Sequence, residues 1–160
     1  MTSAAGIPAY EISNHARAAN ESRHNLSYWR YDDYIGIGPG AHGRRLNAAT
    51  QRHKKPENFL SAVERNSHGI SSEDHLDAAT RATESLLMGL RPAEGIDLGR
   101  LSQRTGIAAA DLLDIDAVDK IAQLGLIVRV GDHVTVTPQG MPLLDAILPQ
   151  IVNIEADAIA

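Results

Sequence analysis

One stretch near the start of the sequence, residues 21–43, constrains the fold more than any other. Its first half places a histidine, an asparagine, a tyrosine and a tryptophan within six residues, His24-Asn25-Leu26-Ser27-Tyr28-Trp29. Its second half is a short apolar run that enters a glycine-rich bend, Tyr34-Ile35-Gly36-Ile37-Gly38-Pro39-Gly40-Ala41-His42-Gly43. Glycine within a strand packs nothing and usually marks close approach by a ligand or another backbone. The stretch therefore predicts a buried strand over residues 33–38, followed by a bend built for close approach.

The bend also contains a GxGxxG pattern between Gly38 and Gly43, the spacing of a dinucleotide-binding loop. That loop needs a helix directly after it, because the helix N-terminus binds the phosphates. No helical pattern follows Gly43, and residues 43–48 are predicted to form a strand instead. We therefore reject a dinucleotide site.

Two helices are predicted in the middle of the chain. The first begins at Pro56, because proline is favoured in a first helical turn. Its apolar stripe consists of Phe59, Leu60 and Val63. The second is predicted to follow a cap at Ser71 or Ser72 and to end before Pro92.

From Asp97 onward the pattern indicates a small winged-helix module. Asp97 is predicted to cap a short helix that ends at Gly106. A second helix has apolar residues at every third position from Leu112 to Leu124. Two β-rich segments joined by Gly131-Asp132 predict a hairpin, the wing, and a last helix begins near Pro138. Residues 153–160 are predicted to be a frayed tail.

A winged helix suggests DNA binding, and the charge argues against it. Residues 97–152 contain four arginine and lysine residues against seven aspartates, a net charge of −3. The helix expected to enter the major groove carries Asp114, Asp116, Asp119 and Lys120. Because affinity for DNA depends mainly on neutralising phosphates, the sequence predicts no nucleic-acid partner. No apolar run of 18 residues occurs either, so no membrane span is predicted.

Three segments resemble a known protein family: YEISNHA, ESRHNLSYW and DYIGIGPGAHGR. They resemble the C-terminal part of radical SAM proteins of the oxygen-independent coproporphyrinogen III oxidase family. The closest resemblance is to the HemW branch of heme chaperones, for which an HNxxYW motif is characteristic. That motif is complete here as His24, Asn25, Tyr28 and Trp29. The resemblance continues through LLMGLRPAEGIDL and VTPQG and covers roughly residues 5–150.

The resemblance implies an α+β fold. Residues 1–50 would be the last strands of an incomplete (β/α) barrel, and residues 56–152 a mainly helical C-terminal domain that ends in the winged-helix-like module. Family members bind a [4Fe–4S] cluster through three cysteines, whereas this chain has no cysteine. Because thiolates are the usual cluster ligands, we expect a C-terminal fragment that is not catalytically competent alone and lacks its N-terminal barrel.

The resemblance also implies heme, or another porphyrin, as the ligand of the HNxxYW motif. His24 is the candidate metal ligand, with Asn25 orienting its ring, and Tyr28 and Trp29 stacking on the macrocycle. The alternatives are that His24 only hydrogen-bonds the barrel rim and that Asn25 is a turn residue. Tyr28 and Trp29 would then pack between the barrel and the C-terminal domain.

A second implied site lies on the glycine-rich bend. Gly38, Gly40, Ala41 and His42 would border the S-adenosylmethionine site, unless the glycines serve only to close the barrel tightly. The parent would be a cytoplasmic protein of porphyrin metabolism, which delivers heme to an acceptor protein or oxidises coproporphyrinogen III. The alternative from another class is a winged-helix adaptor that binds a protein partner without enzymatic role.

Overall fold

The computed structural model describes residues 2–153, which form two compact units. One unit combines the residues up to Tyr31 with those from Ala78 onward, and the other comprises Asp32–Asp77. Helices occur together with two antiparallel three-stranded sheets, which confirms the α+β class. The assignment of residues 1–50 to a barrel and of 56–152 to a separate domain stays a prediction.

The described residues contain seven α-helices and six strands. The helices are α1 (Arg23–Trp29), α2 (Pro56–Asn66), α3 (Ala78–Gly89), α4 (Leu98–Thr105), α5 (Ala109–Leu112), α6 (Ile115–Gln123) and α7 (Leu144–Ile151). The strands are β1 (His42–Arg45), β2 (Ala48–Arg52), β3 (Ile70–His75), β4 (Ile96–Asp97), β5 (Ile127–Val130) and β6 (His133–Val136). Short 3-10 helices cover Ser3–Ala5 and Met141–Leu143. Between residues 2 and 153, no helix is long and apolar enough to cross a membrane.

The unit Asp32–Asp77 is a sheet in the order β1-β2-β3, with α2 inserted between β2 and β3. The strand predicted over residues 43–48 is the first arm of a hairpin, because Leu46 and Asn47 turn the chain with left-handed φ values of 51° and 64°. α2 begins at Pro56 as predicted, but its expected apolar stripe is largely exposed, with Leu60 at 59% and Val63 at 37%.

Two expectations for this unit are wrong. The segment after Ser71 and Ser72 is not helical: it belongs to β3, which pairs with β2, and α3 begins only at Ala78. The predicted buried strand over residues 33–38 is also absent. Tyr34 forms a single bridge to Arg44, and Ile35 and Ile37 are 68% and 88% exposed. A strand is buried only when neighbours cover it, and one bridge does not cover this segment.

The other unit contains the winged-helix module, with the sheet order β4-β6-β5. Asp97 caps α4 by accepting a 2.8 Å hydrogen bond from the backbone of Arg100, and Gly106 ends α4 with a φ of 78°. The hairpin β5–β6 is the predicted wing. The helix expected from Leu112 to Leu124 is divided, because Leu113 is extended and Asp114 caps a new helix, α6.

The core of this unit is built from the apolar faces of α3, α4, α6, α7 and the small sheet. Its largest fully buried leucine, isoleucine and valine side chains are those of Leu86, Leu90, Leu98, Leu112, Leu113, Val118, Ile127, Val134, Leu144 and Ile151. Asn153, predicted to begin a frayed tail, is held by two hydrogen bonds to carbonyls of the Ala110–Leu112 segment. The rest of the predicted tail lies outside the described residues.

Candidate functional site

The HNxxYW motif lies on α1, a two-turn helix. Ser22 caps α1, because its hydroxyl accepts a hydrogen bond from the backbone N–H of Asn25 at 3.3 Å. Residues four apart lie on the same helix face. The motif is therefore divided into two pairs: His24 and Tyr28 share one face, and Asn25 and Trp29 share the next.

The first pair is accessible. The His24 and Tyr28 rings meet edge to face, with centroids 4.7 Å apart and planes at 87°. His24 is exposed and Tyr28 is half-buried. Edge-to-face contact is a favoured arrangement of two rings, so the Tyr28 ring limits the orientations open to the imidazole. This face offers one nitrogen ligand and one aromatic ring to a flat ligand.

The second pair attaches α1 to its own unit. The side-chain amide of Asn25 donates to the Tyr10 hydroxyl at 3.3 Å. The Arg91 guanidinium lies 5.6 Å from the centroid of the Trp29 ring, within the range of a cation–π contact. The indole nitrogen of Trp29 is buried and has no hydrogen-bond partner among the described residues. A buried donor without a partner costs free energy, so the contacts around it must stabilise this docked position.

Residues outside the motif hold the end of α1, and the sequence reasoning did not find them. Arg30 follows the helix directly and binds both carboxylate oxygens of Glu94, each at 2.7 Å. Tyr31 is buried, with a left-handed φ of 57°, and its hydroxyl donates to Glu84. Arg104 donates to the Tyr31 carbonyl at 3.0 Å. These partners are 53 to 73 positions away, so no local pattern could have indicated them.

The ion pair also sets the charge state of Glu94. The hydrogen bond and charge of Arg30 hold the pKa of this carboxyl below its ordinary value of 4.5, although partial burial opposes the shift. The positive charge of His133 lowers the pKa further. A neutral Glu94 would lose the charge-assisted part of this bond.

Because the folded-state pKa of Glu94 lies below the unfolded one, its stabilisation is present above about pH 4.5 and is lost as pH falls through the folded value. Both partners are nearly half exposed, so we expect Glu94→Gln to cost only about 0.2–1 kcal/mol of unfolding free energy at pH 7. Urea denaturation of both proteins between pH 7 and pH 3 measures the difference. It should stay constant to about pH 4.5 and then shrink. A difference that grows towards acid pH would contradict this prediction.

The glycine-rich bend lies in the other unit and is explained in part by close packing. A Cβ atom on Gly36 would lie 2.1 Å from the His42 carbonyl oxygen, so only glycine fits there. The Gly36 carbonyl accepts a 2.6 Å hydrogen bond from Arg52. Gly38 and Gly40 have left-handed φ values of 92° and 73°, which glycine adopts without strain. The close approach of another backbone is therefore confirmed at Gly36.

Around Gly38 the space is open, since nothing lies within 4 Å of a Cβ built there. Ala41 follows in the bend and accepts a 2.9 Å hydrogen bond from the backbone of Arg52, and His42, exposed, begins β1. The bend thus has an open position at Gly38, two residues after the tightly packed Gly36. Within residues 2–153, no group of three or more histidine, aspartate or glutamate side chains could hold a metal ion.

A groove of about 670 Å³ lies in the unit that contains α1. Its lining is mainly apolar and consists of Ala9, Glu11, Ile12, Ala93, Val128, Thr135, Val136, Thr137, Pro138, Met141 and Pro142. Glu11 is 3% exposed, and its carboxylate accepts hydrogen bonds from the backbone and hydroxyl of Ser13. Porphyrin propionates are anionic, so a buried carboxylate makes this groove a poor site for heme.

Comparison with known proteins identifies the family. The HemN C-terminal domain matches residues 76–143. The heme chaperone HemW of Bacillus subtilis is 32% identical over 146 residues, which cover 84% of this chain and 35% of the relative. The mitochondrial radical S-adenosyl methionine domain-containing protein 1 of Dictyostelium discoideum is 31% identical over 175 residues, covering 94% and 39%. The chain thus spans little more than a third of the length of these curated relatives.

A solved structure agrees. Coproporphyrinogen III oxidase (HemN) from Escherichia coli, a radical SAM enzyme, superposes with a TM-score of 0.66 over 92% of this chain and 37% of that chain. At 16% identity this likeness shows a shared fold. Together with the sequence relatives, it confirms the resemblance carried by the motifs. The chain is the C-terminal part of a protein of the radical SAM family that includes the HemW heme chaperones and the coproporphyrinogen III oxidase HemN.

Proposed function

We propose that this chain is the heme-contacting part of a radical SAM heme chaperone, and that His24 is the ligand of the heme iron. The observation that carries the proposal is the exposed His24 ring in edge-to-face contact with Tyr28 at 4.7 Å. Histidine is a common axial ligand of heme iron, and an aromatic ring provides a surface for the macrocycle. Relatives named as heme chaperones share the family.

The four motif residues then have different roles. His24 and Tyr28 contact the heme, and Asn25 and Trp29 hold α1 in place through Tyr10 and Arg91. This assignment changes the role first expected for Trp29 from stacking on the macrocycle to anchoring the helix. It is supported by helix geometry, since a ligand on the His24 face meets Tyr28 before it meets Trp29.

The bend contributes to a second site in the complete protein. We propose that Gly38, Gly40, Ala41 and His42 border S-adenosylmethionine, mainly through backbone groups. The open space at Gly38 and its left-handed backbone support this, because they leave room for a ligand close to the main chain. The parent would act in the cytoplasm and pass heme to an acceptor protein.

This chain does not fit the [4Fe–4S] cluster of the family, since it has no cysteine. Anaerobic reconstitution of the 160-residue chain with iron and sulfide should therefore give no cluster absorbance and no cleavage of S-adenosylmethionine. Electronic absorption and chromatography of the cleavage products check this. A stable four-iron cluster on this chain alone would refute the prediction.

Titration with hemin tests the proposed function, with the Soret band as the readout. Saturable binding of one hemin per chain, with a band distinct from free hemin, supports the heme site. Nonspecific uptake without a defined band contradicts it. The same titration should be repeated with a complete family member, for which both coproporphyrinogen oxidation and heme transfer can be assayed.

One observation favours the second candidate, a winged-helix adaptor for a protein partner. The outer face of the wing is apolar and exposed, with Val128 at 51% and Val130 at 73%, and Ile12 nearby in the groove lining is 41% exposed. Exposed apolar surface of this kind is typical of a protein contact. If the chain does not bind hemin, and Val130→Asp abolishes its binding to a protein partner, the adaptor becomes the better explanation.

A further inference from the structure

We propose that Glu94 and Arg104 are positioning residues: they fix the C-terminal end of α1 and so orient its His24 and Tyr28 face. This inference rests on the proposed heme site for its functional consequence. Its structural part concerns α1 alone and is testable without heme.

The pair between Arg30 and Glu94 is bidentate. Two nitrogens of one guanidinium meet two oxygens of one carboxylate, each at 2.7 Å. Such a bidentate bond fixes the plane of the guanidinium as well as its distance. Arg30 is the residue directly after α1, so the anchor acts on the helix end itself.

Glu94 is attached to a well-defined turn. The N–H of Gly95 donates to the Pro92 carbonyl at 3.0 Å, and Gly95 has a left-handed φ of 70°. The N–H of Ala93 donates to the Tyr10 carbonyl at 2.9 Å. Tyr10 is also the partner of Asn25 in the motif. The segment that carries the Glu94 carboxylate therefore contacts Tyr10, the residue that also binds Asn25 of α1.

Arg104 adds a second attachment. From the last turn of α4 it donates to the carbonyl of Tyr31 at 3.0 Å and to that of Arg30 at 3.4 Å. Arg30 and Tyr31 directly follow α1, so these hydrogen bonds attach the backbone just after its C-terminal end. Glu94 and Arg104 thus hold the side chain and the backbone of the same helix end.

α1 needs such attachments because it is short. Seven residues form two turns, and isolated helices of this length are unstable in water. Its position is set by contacts with the rest of the unit: Ser22 and Tyr10 near its start, Arg91 at Trp29, and Glu94 with Arg104 at its end. Loss of the contacts with Glu94 and Arg104 frees the C-terminal end of α1 and widens the range of orientations of His24.

The experiment uses a double-mutant cycle on the 160-residue chain: Arg30→Gln, Glu94→Gln and both together. Trp29 is the only tryptophan of the chain, so acrylamide quenching of its fluorescence reports the docking of α1 directly. Hemin affinity, from the Soret titration, reports the consequence for His24. Glu73→Gln is the matched control, since Glu73 forms a long 4.0 Å exposed pair with Arg45 in the other unit.

We expect each single variant to increase quenching of Trp29 and to weaken hemin binding about two- to fivefold, the range of a half-exposed ion pair. The double variant should be no worse than either single one, because both remove the same bond. Arg104→Gln should act in the same direction, and Glu73→Gln should change neither readout.

Other outcomes overturn the inference in separable ways. Unchanged quenching and unchanged affinity in all variants would show that Glu94 does not hold α1. Increased quenching with unchanged hemin affinity would show a contact that is only structural. A last outcome is that neither the unsubstituted chain nor any variant binds hemin in a His24-dependent way, while quenching of Trp29 still rises in the variants. In that case the anchor stands and the proposed heme function fails.

Discussion

His24→Ala should weaken hemin binding at least about tenfold and move the Soret band. Replacing even an outer partner of a metal ligand commonly costs 10- to 100-fold in affinity, and here the ligand itself is lost. The His24 ring is exposed and lies on the face of α1 that is not used for docking, so its removal should leave the fold intact. Hemin titration with circular dichroism of both proteins separates loss of binding from loss of structure.

Two other histidines provide the controls. His75 is exposed on β3 in the other unit, so His75→Ala should leave the hemin affinity and the Soret band unchanged. His133 is unsuitable as a neutral control, because its ring donates to the Glu94 carbonyl at 2.7 Å and so contacts the anchor of α1. If His42→Ala abolishes binding while His24→Ala leaves it intact, the ligand is on the glycine-rich bend and our assignment is wrong.

Leu86→Ala should destabilise the unit that contains α1 by about 2–5 kcal/mol. Leu86 lies on α3 and is 0% exposed within the core shared with α4, α6 and α7. Removing its side chain loses apolar contact and leaves a cavity that the packed core fills only in part. A loss of this size is a large fraction of the 5–15 kcal/mol that stabilises a typical domain.

Leu124→Ala is the matched control for this prediction. Leu124 belongs to the same unit but is 72% exposed at the end of α6, so we expect a change within about 0.5 kcal/mol. Urea denaturation, monitored by far-UV circular dichroism, measures the free energy of unfolding of the two variants and of the unsubstituted chain. Equal losses would mean that the core does not lie where the structure places it.

Much of the winged-helix module could be predicted from the sequence, because its signals are local. Asp97 caps α4 and Gly106 ends it, as expected from the side-chain oxygen of the first and the missing Cβ of the second. Gly131-Asp132 joins the two strands of the wing. The motif residues were also found from the sequence, and helix periodicity then divides them into two faces. In each case, the residues that decide the structure lie within a few positions of one another.

The tertiary structure decided the features that depend on distant residues. Ser71 and Ser72 have the local character of helix caps, yet the segment is β3, because backbone pairing with β2 provides partners that a local pattern does not reveal. Residues 33–38 have the composition of a buried strand, yet burial requires neighbours, and Ile35 and Ile37 in this segment are exposed. The partner of Arg30 is Glu94, 64 positions later, brought near by the packing of this unit. Capping and turn formation depend on atoms a few bonds away, whereas strand pairing, burial and ion pairs depend on which surfaces the fold brings together.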